Sequence, residues 1–343
     1  MFDIAVVGAG PIGLYTAKLC KDMGYKVVIF EEHDSIGIPL ACSGLISSNL
    51  EKFFPDIKKW GVVEHVVDSA ILHSKRSKLT LKKSKAAYVL DRVKFDRKLS
   101  ERVKSEIKFG TKVTGIKVKD NHVEINTNKG MEKSEIVIGC DGPLSVVARD
   151  VTNNKQMIKG LIAMTKEKCN DGNVDLYFDK SKLNDGFFWK IPRGNVTEYG
   201  ALGKDVLFSD IEIFFKIKNY EKFGGLIPVS PASKTYSDRI ILIGDSAGQV
   251  KPWSGGGVIY GLTCAQIAVK VIEKAFRFND FSEDVLKEYE MLWKRKIGKQ
   301  IIAGRLFRKF LRLSSDFQLD VAIKTGSIFN YKKLDMDFIF SGL

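Results

Sequence analysis

Residues 2–13, Phe-Asp-Ile-Ala-Val-Val-Gly-Ala-Gly-Pro-Ile-Gly, constrain this chain more than any other stretch. The run from Ile4 to Val7 is continuous and apolar, as a strand buried on both faces should be. It leads into Gly8, Gly10 and Gly13, spaced GxGxxG, with Pro11 and Ile12 opening a helix between them. Glycine there permits a tight turn and close backbone approach, and the helix N-terminus then faces a pyrophosphate. The helical pattern continues through Leu14, Ala17 and Leu19, Gly24 ends it, and a second strand follows to Glu31. Glu31 is placed to accept hydrogen bonds from an adenosine ribose, and an acid there disfavours a 2′-phosphate. The alternative is a glycine-rich turn in an ordinary α/β fold. Strand, helix and acid in register favour the dinucleotide site.

The remaining pattern is mixed. From about Asp68 to Leu90 short alternating strands are expected, followed by a helix over 91–105, a hairpin near Lys119–Asn121 and a strand through Cys140-Asp141. Residues 155–229 again read as strand-rich, and residues 239–275 return to strand, glycine-rich loop and helix. With 343 residues, 44% of them hydrophobic, two lobes with a real core are expected. The pattern predicts an α/β protein with a discontinuous Rossmann-like domain over 1–67, 91–154 and 235–280. An inserted sheet-rich substrate domain takes 68–90 and 155–234, and a small, helical, basic region takes 281–343.

Five cysteines, scattered and without any CxxC, argue against a disulfide scaffold or a structural zinc site. The four histidines show no metal-ligand spacing, so no metal is expected. The chain enters a strand without a charged leader, and no apolar run is long enough to span a bilayer. A cytoplasmic protein, soluble or peripheral at the inner membrane surface, is the expectation. The net charge of +14 favours anionic partners, although solubility alone also accounts for such a charge.

A second constellation lies more than two hundred residues after the first. A strand delivers Gly244-Asp245, whose carboxylate is placed for ribityl hydroxyls. Pro252 and Gly255-Gly256-Gly257 then open a helix at Val258, whose N–H groups are placed to face the electron-rich edge of an isoalloxazine. With Arg92 and Asp96 in Asp-Arg-Val-Lys-Phe-Asp, and Asp141 before Gly142, the chain resembles flavoproteins of p-hydroxybenzoate-hydroxylase type. The resemblance implies FAD as cofactor, with Arg92 near the diphosphate, the Val113 backbone near adenine and Asp245 on the ribityl chain. A helix-start ion pair is the alternative reading of Arg92 and Asp96. No second GxGxxG introduces a nicotinamide domain, so the electron donor, reduced ferredoxin or NAD(P)H, stays open.

Within that superfamily one branch is closer. Pro39-x-x-Cys42-Ser43-Gly44 resembles the cysteine loop of the geranylgeranyl reductase family. Phe187-x-Trp189-x-Ile191-Pro192 resembles its YxWxFP strand, with Gly200-x-x-Gly203 on the strand after it. The resemblance covers roughly residues 1–275. Phe187 stands where tyrosine is usual and Ile191 where phenylalanine is, and the stretch after the glycine helix is short for the family. The resemblance implies reduction of carbon–carbon double bonds in polyprenyl chains of membrane-lipid precursors. An isolated alkene has no electron-withdrawing group, so hydride from reduced flavin N5 needs an accompanying proton. Positive charge then develops on carbon, and the rings of Phe187, Phe188 and Trp189 are candidates to stabilise it, with alternation placing Phe187 and Trp189 on one face of a strand. Core packing is the alternative for these rings.

Cys42 is the candidate proton donor or flavin contact, since a thiol near neutrality is mostly protonated; inert packing is the alternative. Pairing of Cys42 with Cys264 stays open. A flavin-dependent halogenase is a rival reading of the Phe-x-Trp-x-Ile-Pro strand, but the Ala-Gly-Trp of that family is missing after the glycines. An aromatic monooxygenase, using reduced flavin and oxygen, would carry the same FAD motifs, and so would an electron-transfer flavoprotein without lipid chemistry. Finally, Lys294, Arg295, Lys299, Arg305, Arg308 and Arg312 flank Ile301, Ile302, Leu306, Phe310 and Leu313 at helical spacing. This stripe suits an anionic membrane surface or packing on the body. No recognition motif supports nucleic acid.

Overall fold

The computed structural model describes residues 1–152, 156–169, 172–326 and 335–338. Its strands are β1 (Phe2–Val7), β2 (Val27–Phe30), β3 (Leu45–Ser47), β4 (Val63–His73), β5 (Lys78–Leu90), β6 (Glu106–Lys108), β7 (Val113–Val118) and β8 (Val123–Thr127). They continue as β9 (Gly130–Gly139), β10 (Met157–Thr165), β11 (Val174–Tyr177), β12 (Phe187–Arg193), β13 (Val196–Gly203), β14 (Glu221–Pro228), β15 (Tyr236–Ser237) and β16 (Ile240–Leu242). The helices are α1 (Pro11–Asp22), α2 (Arg92–Ser100), α3 (Phe208–Phe215), α4 (Val258–Phe278), α5 (Glu283–Trp293), α6 (Lys299–Leu313) and α7 (Asp316–Gly326).

The first sheet runs β15-β16-β9-β1-β2-β6, and β7 and β8 branch antiparallel from β9. From β16 to β6 its neighbours are parallel, so both faces are covered. Leu14 and Ala17 of α1 join Leu262, Ala265 and Ala268 of α4 against one face. Val113, Val123 and Ile125 of the branch close the other over Ala5 and Val28. The helices approach closely because Gly261 has no side chain: a Cβ there would lie 2.6 Å from Ile12 Cδ1.

The second sheet runs β14-β10-β13-β12-β11-β4-β5-β3. Its strands start earlier than the change of pattern at Asp68, because β4 already alternates from Val63. The expected short strands up to Leu90 are two long ones, of 11 and 13 residues. Within the stretch expected to be strand-rich lies α3, whose Ile211, Phe214 and Phe215 at helical spacing pack under Phe188. The expected helix over 91–105 stops at Ser100; Asp91 caps its start by accepting from Lys94 N at 3.0 Å. On the opposite face of the second sheet, Leu311 of α6 and Leu319 and Ile323 of α7 pack with Phe187, Trp189 and Leu202. The basic C-terminal region is mostly helical from Glu283 to Gly326, residues 335–338 are not helical, and residues 327–334 and 339–343 lie outside the described residues.

Candidate active site

The two glycine motifs meet because parallel strands end at one edge. Val7 pairs with Phe30 and with Gly139, and Ile243 N donates to Gly139 O at 2.9 Å. Gly8, Glu31, Asp141 and Gly244-Asp245 therefore follow the carboxyl ends of four neighbouring strands, where an open α/β sheet binds ligands.

The glycines divide by what a side chain would meet. A Cβ on Gly13 would lie 2.0 Å from Gly8 O, and one on Gly8, at φ +97°, would lie 2.5 Å from Cys140 O. A Cβ on Gly10 meets nothing within 4 Å. Gly8 and Gly13 thus shape the turn, and Gly10 faces the open cradle before α1. The helix N-cap, Gly10, has no side-chain hydrogen bond, and Pro11 removes one donor without loss. This cradle fits a pyrophosphate. Glu31 is held there: its Oε2 accepts from Ala9 N at 2.8 Å and its Oε1 from His33 N at 3.0 Å. It braces the glycine turn, a role the sequence pattern did not suggest. Val113 follows the segment in which Thr111 N donates to Glu31 O at 2.8 Å, so its backbone lies near that strand end.

Other expected positions are differently placed. Ile12 is wedged against the positions of Gly244 and Gly261, and packs helix on helix. Asp141 spends its carboxylate on Ser145 Oγ, Val146 N and Val147 N at 2.6, 2.7 and 3.2 Å. Burial raises its proton affinity and those donors oppose the rise. Its backbone lies against Gly8, 3.0 Å from a Cβ there. Asp245 Oδ1 lies 3.0 Å from a Cβ on Gly257, the residue capping α4 ahead of Val258, so carboxylate and helix N-terminus are adjacent. Lys251 N donates to Gly256 O and Gly255 N to Lys251 O, closing the turn around Pro252.

The cysteine loop bridges the two sheets. Gly37 and Gly44 both have positive φ and pack on the start of α2, with a Gly44 Cβ only 2.3 Å from Leu90 O and 3.2 Å from Arg92 Cγ. Between them, Ala41 lies against Gly225 of β14, and the position of Gly255 abuts Leu202 and Ile227. Cysteine loop and glycine turn therefore both reach the same side of the second sheet. Cys42 is half-buried, and Gly44 N donates to its Sγ at 3.4 Å. Arg92 lies beside it and pairs with Asp96, Nη2 to Oδ2 at 3.1 Å. Burial works against the Arg92 charge, but Asp96 outweighs it and its proton is held more tightly than usual. Cys42 and Cys264 are both free, and Cys264 is fully buried in α4.

On β12, Phe187 and Trp189 share a face, with ring centroids 6.1 Å apart, while Phe188 turns to α3. Trp189 is cross-strand from Gly200, where a Cβ would lie 2.2 Å from the indole carbons Cε2 and Cζ2. Its Nε1 donates to Glu198 Oε1 at 2.8 Å. Glu198 is fully buried, and its Oε2 accepts from Arg193 Nη1 at 2.7 Å. Sequence reasoning passed over both. Their signal is period two: Glu198 and Gly200 share the inward face of β13, where an acid needs a partner.

Fold and site together define an FAD-dependent oxidoreductase built on a Rossmann-like domain. A sequence-family profile described as an NAD(P)-binding Rossmann-like domain matches residues 6–43. A digeranylgeranylglycerophospholipid reductase of Methanocaldococcus jannaschii is 30% identical, over 93% of this chain and 89% of its own length. Among solved structures, a geranylgeranyl bacteriochlorophyll reductase-like protein from Thermoplasma acidophilum superposes with TM-score 0.89 at 21% identity, covering 98% of this chain and 94% of that one. A single-site mutant of the halogenase PltM, solved in complex with FAD, has TM-score 0.75 at 15% identity and covers all of this chain and 84% of that one. The two structures carry the fold; the relative carries more. The chain belongs to the digeranylgeranylglycerophospholipid reductase family.

Proposed function

We propose that the protein saturates carbon–carbon double bonds in geranylgeranyl chains of membrane-lipid precursors. The observation that carries this reading is the convergence of the cysteine loop and the Phe187–Trp189 face on one side of the second sheet, in a member of this family. Bound FAD, once reduced by a separate donor, supplies the hydride. The residues to hold it are the Gly8–Gly13 turn and α1 N-terminus for pyrophosphate, Glu31 for ribose, Arg92 for the diphosphate, and Asp245 with the α4 N-terminus for the ribityl and ring end.

The chain's own residues supply the rest. Cys42 gives the proton that completes each saturated bond and regains one from solvent. Positive charge developing on the alkene lies toward the faces of Phe187 and Trp189, each worth roughly 0.5–2 kcal/mol when desolvated. Phe187 brings no hydroxyl, so its part is apolar contact. Reduced ferredoxin and NAD(P)H are the two donors to try.

The lipid would come from a membrane, and α6 and α7 suit its surface. Among the described residues no helix is long and apolar enough to cross a bilayer. Ile302, Leu306, Phe310, Leu313 and Phe317 are nonetheless exposed, beside exposed Lys299, Arg305, Lys309 and Arg312. Ile301 is buried, and Arg308 is tied to Asp185 at 2.9 Å, so neither belongs to that face. Apolar side chains flanked by cations fit an anionic lipid surface. Co-sedimentation with anionic vesicles, weakened by Phe310→Asp with Phe317→Asp, tests this.

The reaction itself is tested in an oxygen electrode with chemical reductant and a digeranylgeranyl glycerophospholipid. The reductase reading expects lipid mass to rise in steps of two hydrogens without oxygen uptake matched to product. Oxygenated lipid, or lipid of unchanged mass when the same mixture is run without oxygen, contradicts it.

A further inference from the structure

Beyond the residues that would touch cofactor or lipid, β12 and β13 hold a buried charge cluster. Arg193, its side chain 4% exposed, fans out to four acceptors. Nη1 donates to Glu198 Oε2 at 2.7 Å and to the carbonyl of Ser43; Nη2 donates to Leu90 O at 2.8 Å and to Glu64 Oε2 at 2.8 Å. Ser43 is the residue after Cys42, and Leu90 precedes the start of α2, where Arg92 stands. The other oxygen of Glu198 holds the indole of Trp189.

We infer that Glu198 and Arg193 are a positioning pair that fixes the Cys42 loop and the Trp189 ring in one rigid frame. Neither touches the reacting atoms; each acts through a neighbour. The chemistry requires the arrangement: a proton donor and a charge-stabilising ring on different segments must keep one separation as the alkene reacts. A guanidinium suits the task because its planar fork reaches two carbonyls and two carboxylates at once, which a lysine ammonium does not. Charge balance adds a second reason. Two carboxylates face one cation, and burial outweighs the pull of Arg193 and Trp189 to leave Glu198 pushed up to about 7. A cluster so poorly solvated is retained at a cost, consistent with a specific geometric role. Its value to catalysis rests on the reductase reading, but its existence as a frame does not.

The test therefore uses no lipid. The FAD-loaded protein and its Arg193→Lys and Glu198→Gln variants are treated with iodoacetamide, and alkylation of each cysteine is followed by peptide mass. Loss of the charge-assisted bond to the Ser43 carbonyl is expected to speed alkylation of Cys42 by about tenfold in Arg193→Lys. Glu198→Gln is expected to change Trp emission, a difference that vanishes when Trp189→Phe is added. Glu64→Gln, which removes the more exposed partner, should leave Cys42 within about twofold of the parent. Cys20 and Cys264, both fully buried, report on unfolding. A Cys42 rate unchanged or slower in both variants overturns the proposal. So does a rise shared by Cys20 and Cys264, since the pair would then hold the fold rather than the loop. A protein inactive on every polyprenyl lipid but with Cys42 released selectively would defeat the reductase reading alone.

Discussion

Adding one methyl group at Gly200 is expected to displace the ring on which the proposed chemistry depends. A Cβ there lies 2.2 Å from two indole carbons of Trp189 and 2.6 Å from Leu161 O. Ordinary contact begins near 3.4 Å, so the indole must move by about 1 Å. Its Nε1 now donates to Glu198 at 2.8 Å, and a shift of that size breaks the bond. Overpacking costs about 1–3 kcal/mol, and a hydrogen bond to a charged group about 1.5–3. Removing a strand glycine returns roughly 0.5–1 kcal/mol. Gly200→Ala is therefore expected to lose about 2–5 kcal/mol, read from urea unfolding at constant m-value. Gly115→Ala is the control, because a Cβ there meets nothing within 4 Å, and it should be neutral or slightly stabilising. The clash lies in the second sheet, so flavin content should survive while turnover falls. A Gly200→Ala protein within about 0.5 kcal/mol of its parent would refute the packing described here.

Other expectations follow from the same site. Arg92→Met leaves Asp96 buried without its partner and should destabilise by about 3–5 kcal/mol, whereas Arg92→Met with Asp96→Leu should recover most of that in thermal unfolding. Cys42→Ala should retain flavin but lose about a hundredfold or more in lipid turnover, the usual worth of a positioned general acid; undiminished turnover removes Cys42 from the chemistry. Burial raises Glu198 from an ordinary 4.5 to about 7, so the native state keeps a proton that the unfolded chain releases between those values. Its contribution to stability is full below the ordinary value and is lost as pH rises through about 7, with a slope up to about 1.4 kcal/mol per pH unit. Glu198→Gln should flatten that slope in denaturant titrations across the window, and an unaltered slope would show that another group titrates there.

What was legible in the sequence was the part governed by local rules. GxGxxG after a buried strand, an acid at the next strand end and a late GD…GGG element state the nucleotide fold, because turn geometry and helix N-termini demand glycine at particular places. Even so, the pattern did not separate glycines that shape a turn, Gly8 and Gly13, from the one facing the cradle, Gly10. It also placed Ile12 in the cofactor motif without showing that its side chain packs against Gly244 and Gly261 of the same core. Strand alternation correctly places Phe187 and Trp189 on one face. What the pattern could not carry was pairing between distant segments. Arg193 reaches Ser43, Leu90, Glu64 and Glu198, and no local signal joins those positions. The helix α3 was missed for a related reason: aromatic residues suit strands equally well, and only packing under Phe188 decides.

The most direct test is an anaerobic single turnover. The FAD-loaded protein is reduced chemically, mixed with a digeranylgeranyl glycerophospholipid, and followed by flavin absorbance and lipid mass together. The expected result is reoxidation of the flavin matched by one lipid double bond gaining two hydrogens per flavin. A flavin that stays reduced until oxygen is admitted, with the lipid unchanged, would contradict the assignment.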